Sequence, residues 1–504
     1  MRVESPHPTA CPRFTMFSVV LLMLGWASAV PRHAAAQEAQ GPNVVFIYID
    51  DMGWSDLSYR GSTFYETPRI DRLAARGMRF TSAYANAPNC APSRASLMSG
   101  AYAPRHGVYT VGDPWRAPPS TRRLVPLENR TTLAPEVITL AEVLRDAGYA
   151  TAHMGKWHLG EPAGITGRAG NAGSDGSASA GGAGPLAQGF DVNLGGTHAG
   201  HPPTYFSPYD IATLPDGPPG EYLTDRLTEE ALAFIDEHAD ERFFLYLSHY
   251  AVHVPIEAPE ELTAKYAGKP AWHGQRDAGY AAMIERVDHG VGRVVDRLDE
   301  LGLTDETLIV FTSDNGGLGG YASAGLPGSR QVTDNYPLKG GKGQLYEGGI
   351  RVPTFVVWPG TVEPGSVSHE PIVGMDFYPT LVEAAGADLP PDQPIDGVSL
   401  LPVLQGGELD RETLYWYFPA YLEAYGREGE RTTPAGAVRR GDEKLIWFFE
   451  DDRTKLYDLG DDPGERRDLA AERPERVRAL RQLFENWLIE MDAPMPRPNP
   501  DYRP

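Results

Sequence analysis

Two short segments constrain the fold more than anything else in the chain. Asn43-Val44-Val45-Phe46-Ile47-Tyr48-Ile49 and Leu308-Ile309-Val310-Phe311-Thr312 are unbroken apolar, β-branched runs. A strand without polar alternation is buried on both faces, the pattern of a parallel sheet covered by helices on either side. Each run ends in oxygen-bearing side chains, Asp50-Asp51-Met52-Gly53 after the first and Ser313-Asp314-Asn315-Gly316-Gly317 after the second. Turns with solvated aspartates are common, and one such segment alone supports little. Open α/β sheets, however, place their sites beyond the C-terminal ends of strands. If the two strands lie near each other in one parallel sheet, Asp50, Asp51, Asp314 and Asn315 converge on one spot. An all-oxygen set selects a hard cation such as calcium or magnesium.

The rest of the chain alternates in the same way. Phe243–Ser248 is another buried-strand run. Thr67-Pro68 starts a helix over Arg69–Arg76 that Gly77 ends, and Thr139-Leu140-Ala141-Glu142 reads as a capping box for a helix closing before Gly148. Ala278–Leu303 reads as a long amphipathic helix. The expectation is an α/β sandwich with a large, mainly parallel central sheet flanked by helices. From about residue 405 the character changes. Strand patterns at Ala437–Arg439 and Lys444–Phe449 precede Lys455-Leu456-Tyr457-Asp458-Leu459, D-D-P-G-E and a helix over Pro474–Glu490. We therefore divide the chain into a catalytic domain, 37–404, and a C-terminal subdomain, 405–504, to which no chemistry is assigned. Residues 161–188, almost wholly Gly, Ala, Ser and Pro, read as a flexible surface insertion, with a lid role left open by their position.

Residues 1–36 read as a secretory signal peptide. Arg2 and Arg13 precede an apolar run from Phe14 to Val30, and Ala34-Ala35-Ala36 offers a cleavage site. The run is short for a spanning helix and no second one follows, so no membrane span is expected, and the destination is periplasmic or secreted. Of the two cysteines, Cys11 lies in this leader, which leaves Cys90 alone. A solitary thiol in an exported protein is a reactive or modified residue to be explained. The formal net charge of −23, with no basic tract, makes nucleic acid and anionic membranes poor partners. Any polyanionic ligand would also be repelled at long range, so basic residues must be concentrated at a site that takes one.

Cys90 stands in Asn89-Cys90-Ala91-Pro92-Ser93-Arg94-Ala95-Ser96-Leu97-Met98-Ser99-Gly100. A helix beginning at about Pro92 would leave Cys90 just ahead of its N-terminus, where unpaired N–H groups and partial positive charge collect. Arg94, one turn on, reaches back toward whatever Cys90 holds. One reading is a buried structural thiol. A thiolate phosphatase loop wants arginine six positions after the cysteine, where this chain has Ser96. The third reading is a resemblance: C-A-P-S-R followed by L-M-S-G resembles the signature of the type I, formylglycine-dependent sulfatases of the alkaline-phosphatase-like superfamily, with Ser99 in place of the usual threonine.

Further motifs fall in that family's order along nearly all the chain after residue 36. Gly155-Lys156-Trp157-His158-Leu159-Gly160 resembles the segment whose lysine and histidine touch sulfate and formylglycine, which maps those contacts to Lys156 and His158. His253-Val254-Pro255 matches H-x-P, giving His253 the leaving side of the ester, while His249 reads as structural. Gly340-Gly341-Lys342-Gly343 through Glu347-Gly348-Gly349-Ile350-Arg351-Val352-Pro353 resembles G-K-G-x-x-Y-E-G-G-x-R-x-P, making Lys342 a second active-site lysine, Lys339 peripheral and Arg351 a buried structural cation. His198 and His201, after Gly189-Phe190-Asp191, are candidates for substrate contact. The resemblance implies that a formylglycine-generating enzyme oxidises Cys90 during maturation. It also implies that Asp50, Asp51, Asp314, Asn315 and the modified Cys90 hold one calcium ion. Finally, it implies a C-terminal subdomain built of a small antiparallel sheet and a helix.

A sulfate monoester needs its charge neutralised and its leaving oxygen protonated. Calcium, Arg94, Lys156 and Lys342 would supply the first, and His253 or Lys342 the second. The hydrate of modified Cys90 would attack sulfur, and His158 would act as base when the aldehyde reforms. The expected activity is hydrolysis of sulfate monoesters of a carbohydrate. Two rivals are a phosphodiesterase or phosphonate hydrolase of the same superfamily, and a catalytically silent sugar-binding relative.

Overall fold

The computed structural model describes residues 41–503 other than 117, 161–183, 327, 330 and 424–429. The leader and most of the insertion lie outside these residues. Eight strands form the central sheet: β1 (Asn43–Ile49), β2 (Met78–Phe80), β3 (Ala150–Gly155), β4 (Val192–Leu194), β5 (Phe243–Ser248), β6 (Thr307–Ser313), β7 (Thr354–Val357) and β8 (Val367–Ser368). Their order is β8-β2-β7-β6-β1-β5-β3-β4. Only β7 runs antiparallel to its neighbours; every other pair is parallel.

β1 shows why the run is apolar throughout. Successive side chains of a strand point to opposite faces. Val45, Ile47 and Ile49 enter one core with α1 (Pro68–Ala74), α4 (Leu223–Glu237) and α5 (Ala278–Glu300), while Val44, Phe46 and Tyr48 enter the other. That second core is closed by α2 (Cys90–Ser99), α3 (Leu140–Asp146) and α6 (Phe377–Ala384). The capping box of α3 is present, with Thr139 and Glu142 bonded reciprocally.

Three helices differ from expectation at their ends. α1 begins at Pro68 and stops at Ala74, and α5 ends at Glu300. α2 starts at Cys90 rather than Pro92, because a proline is tolerated anywhere in the first turn, where N–H groups lack helical partners anyway. The assignment of 184–188 to a flexible segment is corrected. Pro185–Gln188 form a 3₁₀ turn whose Gln188 is buried, its carbonyl accepting from Thr139 Oγ1 at 2.6 Å.

The C-terminal region adds β9 (Thr413–Phe418), the hairpin pair β10 (Leu422–Glu423) and β11 (Glu430–Thr432), then β12 (Ala435–Arg440), β13 (Glu443–Phe448) and β14 (Arg453–Asp458). β9-β12-β13-β14 form an antiparallel sheet, against which α7 (Pro474–Glu490) lays Leu480, Phe484, Trp487 and Leu488. Among the described residues no helix is long and apolar enough to cross a membrane.

Candidate active site

β1 and β6 are neighbours, with Ile49 in register with Ser313. Asp50, Asp51, Asp314 and Asn315 therefore leave the same edge side by side, all 0–2% exposed. The Asp51 N–H donates to Asp314 Oδ1 at 3.1 Å, and Asn315 Nδ2 donates to Asp51 Oδ1 at 2.8 Å. Asp51 holds φ at +61°, a left-handed conformation uncommon outside glycine that aspartate tolerates better than most residues. The expected convergence is therefore present.

Cys90 is the first residue of α2, and its Sγ lies 3.6 Å from Asp50 Oδ1 and 4.0 Å from Asp51 Oδ1. Arg94, one turn later, is fully buried. It donates to Asp314 Oδ2 at 2.7 and 3.0 Å, to Ser248 Oγ at 2.6 Å and to the Lys156 carbonyl at 2.8 Å. It acts on the Asp314 carboxylate rather than reaching into open space. Lys156 leaves the end of β3, where Gly155 has φ +103° and a Cβ would stand 1.9 Å from the Ser248 carbonyl oxygen; only glycine fits. Lys156 Nζ lies 2.6 Å from Asp50 Oδ2, and Lys342 Nζ lies 2.8 Å from the Asp51 carboxylate.

His158 also sits at φ +61°, and its Nδ1 is buried without a hydrogen-bond partner. The Gly200 backbone lies against its ring, so closely that a Cβ would come within 2.6 Å. His253 Nδ1 lies 2.8 Å from the Val254 carbonyl and so carries the hydrogen, while Nε2 lies 3.6 Å from Asp51 Oδ2. The His201 ring lies nearly parallel to that of His253, with centroids 6.2 Å apart.

A cleft of about 380 Å³ opens over these groups, lined by Asp51, Cys90, His158, His201, His253 and Lys342. Asp50, Arg94, Lys156, Asp314 and Asn315 are buried and do not line it. His198 is exposed and packs against Gly160, outside the lining. His249 is buried with neither ring nitrogen hydrogen-bonded. Lys339 donates to the Glu465 carbonyl, and Arg351 pairs with Glu347. Sequence reasoning missed Ser248, whose hydroxyl accepts from Arg94, and Asn89 and Arg116, which also line the cleft. Ser248 carries the signal that found Asp50, a polar residue closing a buried strand. Arg116 stands in an irregular loop without periodicity.

Burial raises the Asp50 carboxyl to about 8 although Lys156 opposes it. Burial also acts on Asp51, but the Lys342 ammonium, with that of Lys156, outweighs it and holds its carboxyl well below the usual range. The Cys90 thiol is pushed by burial to about 12, only partly offset by Lys156 and Lys342. As a thiol it is a poor nucleophile at neutral pH. Burial, with the neighbouring lysines, lowers both His158 and His253, so both rings are neutral at rest.

The donor set fits a hard cation. Atoms of Asp50, Asp51, Cys90 and His253 lie within 4.8 Å of one another. The Asn315 amide is oriented by its two Nδ2 bonds, to Asp51 and to the Gly316 carbonyl, which leaves Oδ1 buried without a donor. A buried carbonyl oxygen beside three carboxylates is an acceptor awaiting a positive partner.

An α/β sandwich with such a cradle, a residue at a helix N-terminus and buried cations has the arrangement of alkaline-phosphatase-like hydrolases. The sulfatase family model matches residues 42–387, and the model described as N-sulphoglucosamine sulphohydrolase, C-terminal, matches residues 341–492. The chain is 35% identical to a sulfatase of Formosa agariphila, covering 90% of each chain. It is 30% identical to the N-acetylgalactosamine-6-sulfatase of Canis lupus familiaris, covering 91% of this chain and 88% of that one. The solved structure of Ps i-CgsB in complex with k-i-k-neocarrahexaose superposes with a TM-score of 0.69 at 28% identity, covering 89% of this chain and 93% of that one. The chain belongs to the sulfatase family and is a sulfuric ester hydrolase.

Proposed function

We propose that this protein is an exported sulfatase of sulfated carbohydrates, with Cys90 oxidised to Cα-formylglycine as nucleophile and one calcium ion held by Asp50, Asp51, Asp314 and Asn315. The observation that carries the reading is the seat of Cys90, buried at the start of α2 against the Asp50–Asp51 pair and within the field of the Lys156 and Lys342 ammonium groups. Formylglycine hydrate supplies an oxygen nucleophile where the thiol is inert, and the divalent ion supplies charge stabilisation to it and to the sulfate.

The chain's own residues divide the remaining work. Arg94 fixes the Asp314 carboxylate. Lys156 and Lys342 are buried point charges suited to sulfate oxygens once the carboxylates find another counter-ion. His253, neutral at rest, gains a proton as an anionic ester arrives beside it and delivers it from Nε2 to the leaving oxygen. His158, also neutral, is a base within the same cleft. The rim, with Val111, Val254 and Leu422 beside His201 and Arg116, mixes apolar and polar groups as a sugar ring requires. The names of the canine relative and of the solved complex support a carbohydrate.

The test is release of free sulfate from a panel of monosulfated galactose, galactosamine and glucosamine isomers and a steryl sulfate, alongside release of phenol from phenyl sulfate and from a phenyl phosphonate monoester. Preference for one sugar sulfate, with phenyl sulfate far ahead of the phosphonate, is expected. A faster phosphonate overturns the sulfate assignment, and a faster steryl sulfate overturns the carbohydrate.

A further inference from the structure

A second pocket, of about 210 Å³, opens between the Lys342 loop and the C-terminal sheet. Tyr346, Thr432, Thr433, Phe448, Arg453 and Lys455 are among its lining residues, and among the described residues no acidic side chain lines it. That is notable in a chain with 68 acidic and 45 basic residues. Arg453 and Lys455 are two apart on β14 and so share one face of the strand. The Lys455 ammonium donates to Tyr346 Oη at 3.0 Å, and the Arg453 guanidinium lies 4.2 Å from the Phe448 ring centroid. Arg453 also pairs with Asp451 at 3.3 Å, but half of its side chain stays exposed. Burial first, and then the Arg453 charge, push the Lys455 ammonium down against the opposing pull of Asp468 and Glu465, which stand outside the lining.

The pocket adjoins the catalytic cleft. Leu422 on β10 lines the cleft, and its cross-strand partner on β11, Thr432, lines the pocket. Cross-strand partners are about 5 Å apart. Tyr346 likewise follows Lys342 by four residues on the same loop.

We infer that this pocket is a flanking subsite that binds an anionic group, a sulfate or a carboxylate, on a sugar neighbouring the one hydrolysed. Two cations, hydroxyl donors and an aromatic wall are the chemistry that recognises a charged sugar. The inference deepens the carbohydrate reading and rests on it. A ligand spanning cleft and pocket gains affinity that a single sulfated sugar does not.

The probe is a short, fluorescently labelled dextran sulfate, with its Kd read by anisotropy. The double variant Arg453→Ala/Lys455→Ala should raise Kd at least about tenfold, the size expected for loss of two charge-assisted contacts. Arg467→Ala/Arg478→Ala removes the same charge from 70% exposed positions outside the pocket and should shift Kd less than about twofold. Equal shifts in the two double variants, or no binding by the wild type, overturn the pocket. Nitrophenyl sulfate turnover by the wild type is measured in parallel. Its absence, with pocket-dependent binding intact, defeats the sulfatase reading and leaves the pocket standing.

Discussion

A histidine whose Nδ1 hydrogen is committed to a backbone carbonyl can exchange protons only at Nε2. That is the state of His253, with Nδ1 on Val254 and Nε2 facing Asp51. A proton donor matters most when the leaving group is poor. His253→Ala should therefore depress hydrolysis of a sugar sulfate on the order of 10²–10⁴-fold and of nitrophenyl sulfate far less, with Lys342 sharing the proton and drawing the loss toward the low end. Arg94→Ala, which frees Asp314, should depress both alike. Equal losses for both substrates in His253→Ala, with chemistry limiting the rate, would reduce His253 to a sulfate contact. Asp314 supports a second test. Asp314→Ala removes a carboxylate from the cradle and should lower bound calcium, read by atomic emission, together with turnover by about a hundredfold or more. Full turnover in metal-stripped wild type would refute the metal site.

At the scale of elements, the sheet and its site were legible because β1 and β6 are apolar on both faces and end in carboxylates. Their adjacency was a conditional in the sequence and became the register Ile49–Ser313 in the structure. The start of α2 was displaced because Pro92 looks like a first residue, whereas the chain already turns at Cys90. Strand β7 was not anticipated, since four residues give no periodicity to read. The tail of α2 holds a titratable contact that no motif marks. The one-turn helix Ala103–His106 brings His106 Nε2 within 3.0 Å of Ser96 Oγ, while its Nδ1 accepts the Val108 N–H at 3.1 Å. Burial and Arg130 hold this imidazole down at about 3, below its ordinary 6.5. The unfolded chain therefore binds the proton first as pH falls. The stability His106 contributes is present above 6.5 and lost progressively between 6.5 and 3. In urea unfolding, the advantage of wild type over His106→Asn should shrink by up to about 1.4 kcal/mol per pH unit below 6.5. A gap that stays constant from pH 7 to pH 5 would contradict a neutral buried imidazole.

Across the whole molecule, the C-terminal sheet grips the catalytic loop through buried charge. Lys444, on β13 and fully buried, lies 2.8 Å from Glu347 and 3.0 Å from Glu465, and the Glu347 N–H donates to Glu465 Oε2 at 2.7 Å. Glu347 begins the one-turn helix that closes the Lys342 loop and also accepts from Tyr84 Oη. The glycine-rich loop was legible as a site motif. Its anchor was not, because Lys444, Glu347 and Glu465 are remote in sequence and become partners only when the two regions pack. Removing the cation leaves two carboxylates buried together. Lys444→Ala should cost roughly 3–5 kcal/mol in urea unfolding. A loss below about 1 kcal/mol would show that the C-terminal sheet does not brace the loop.

The central claim is that residue 90 acts as an aldehyde hydrate and not as a thiol. Its most direct test is to prepare the protein with graded exposure to a formylglycine-generating enzyme, measure the aldehyde fraction at residue 90 by peptide mass spectrometry, and plot sulfate release against it. The account predicts a straight line through the origin, with Cys90→Ala at zero. Full turnover in protein that carries only the thiol would contradict it.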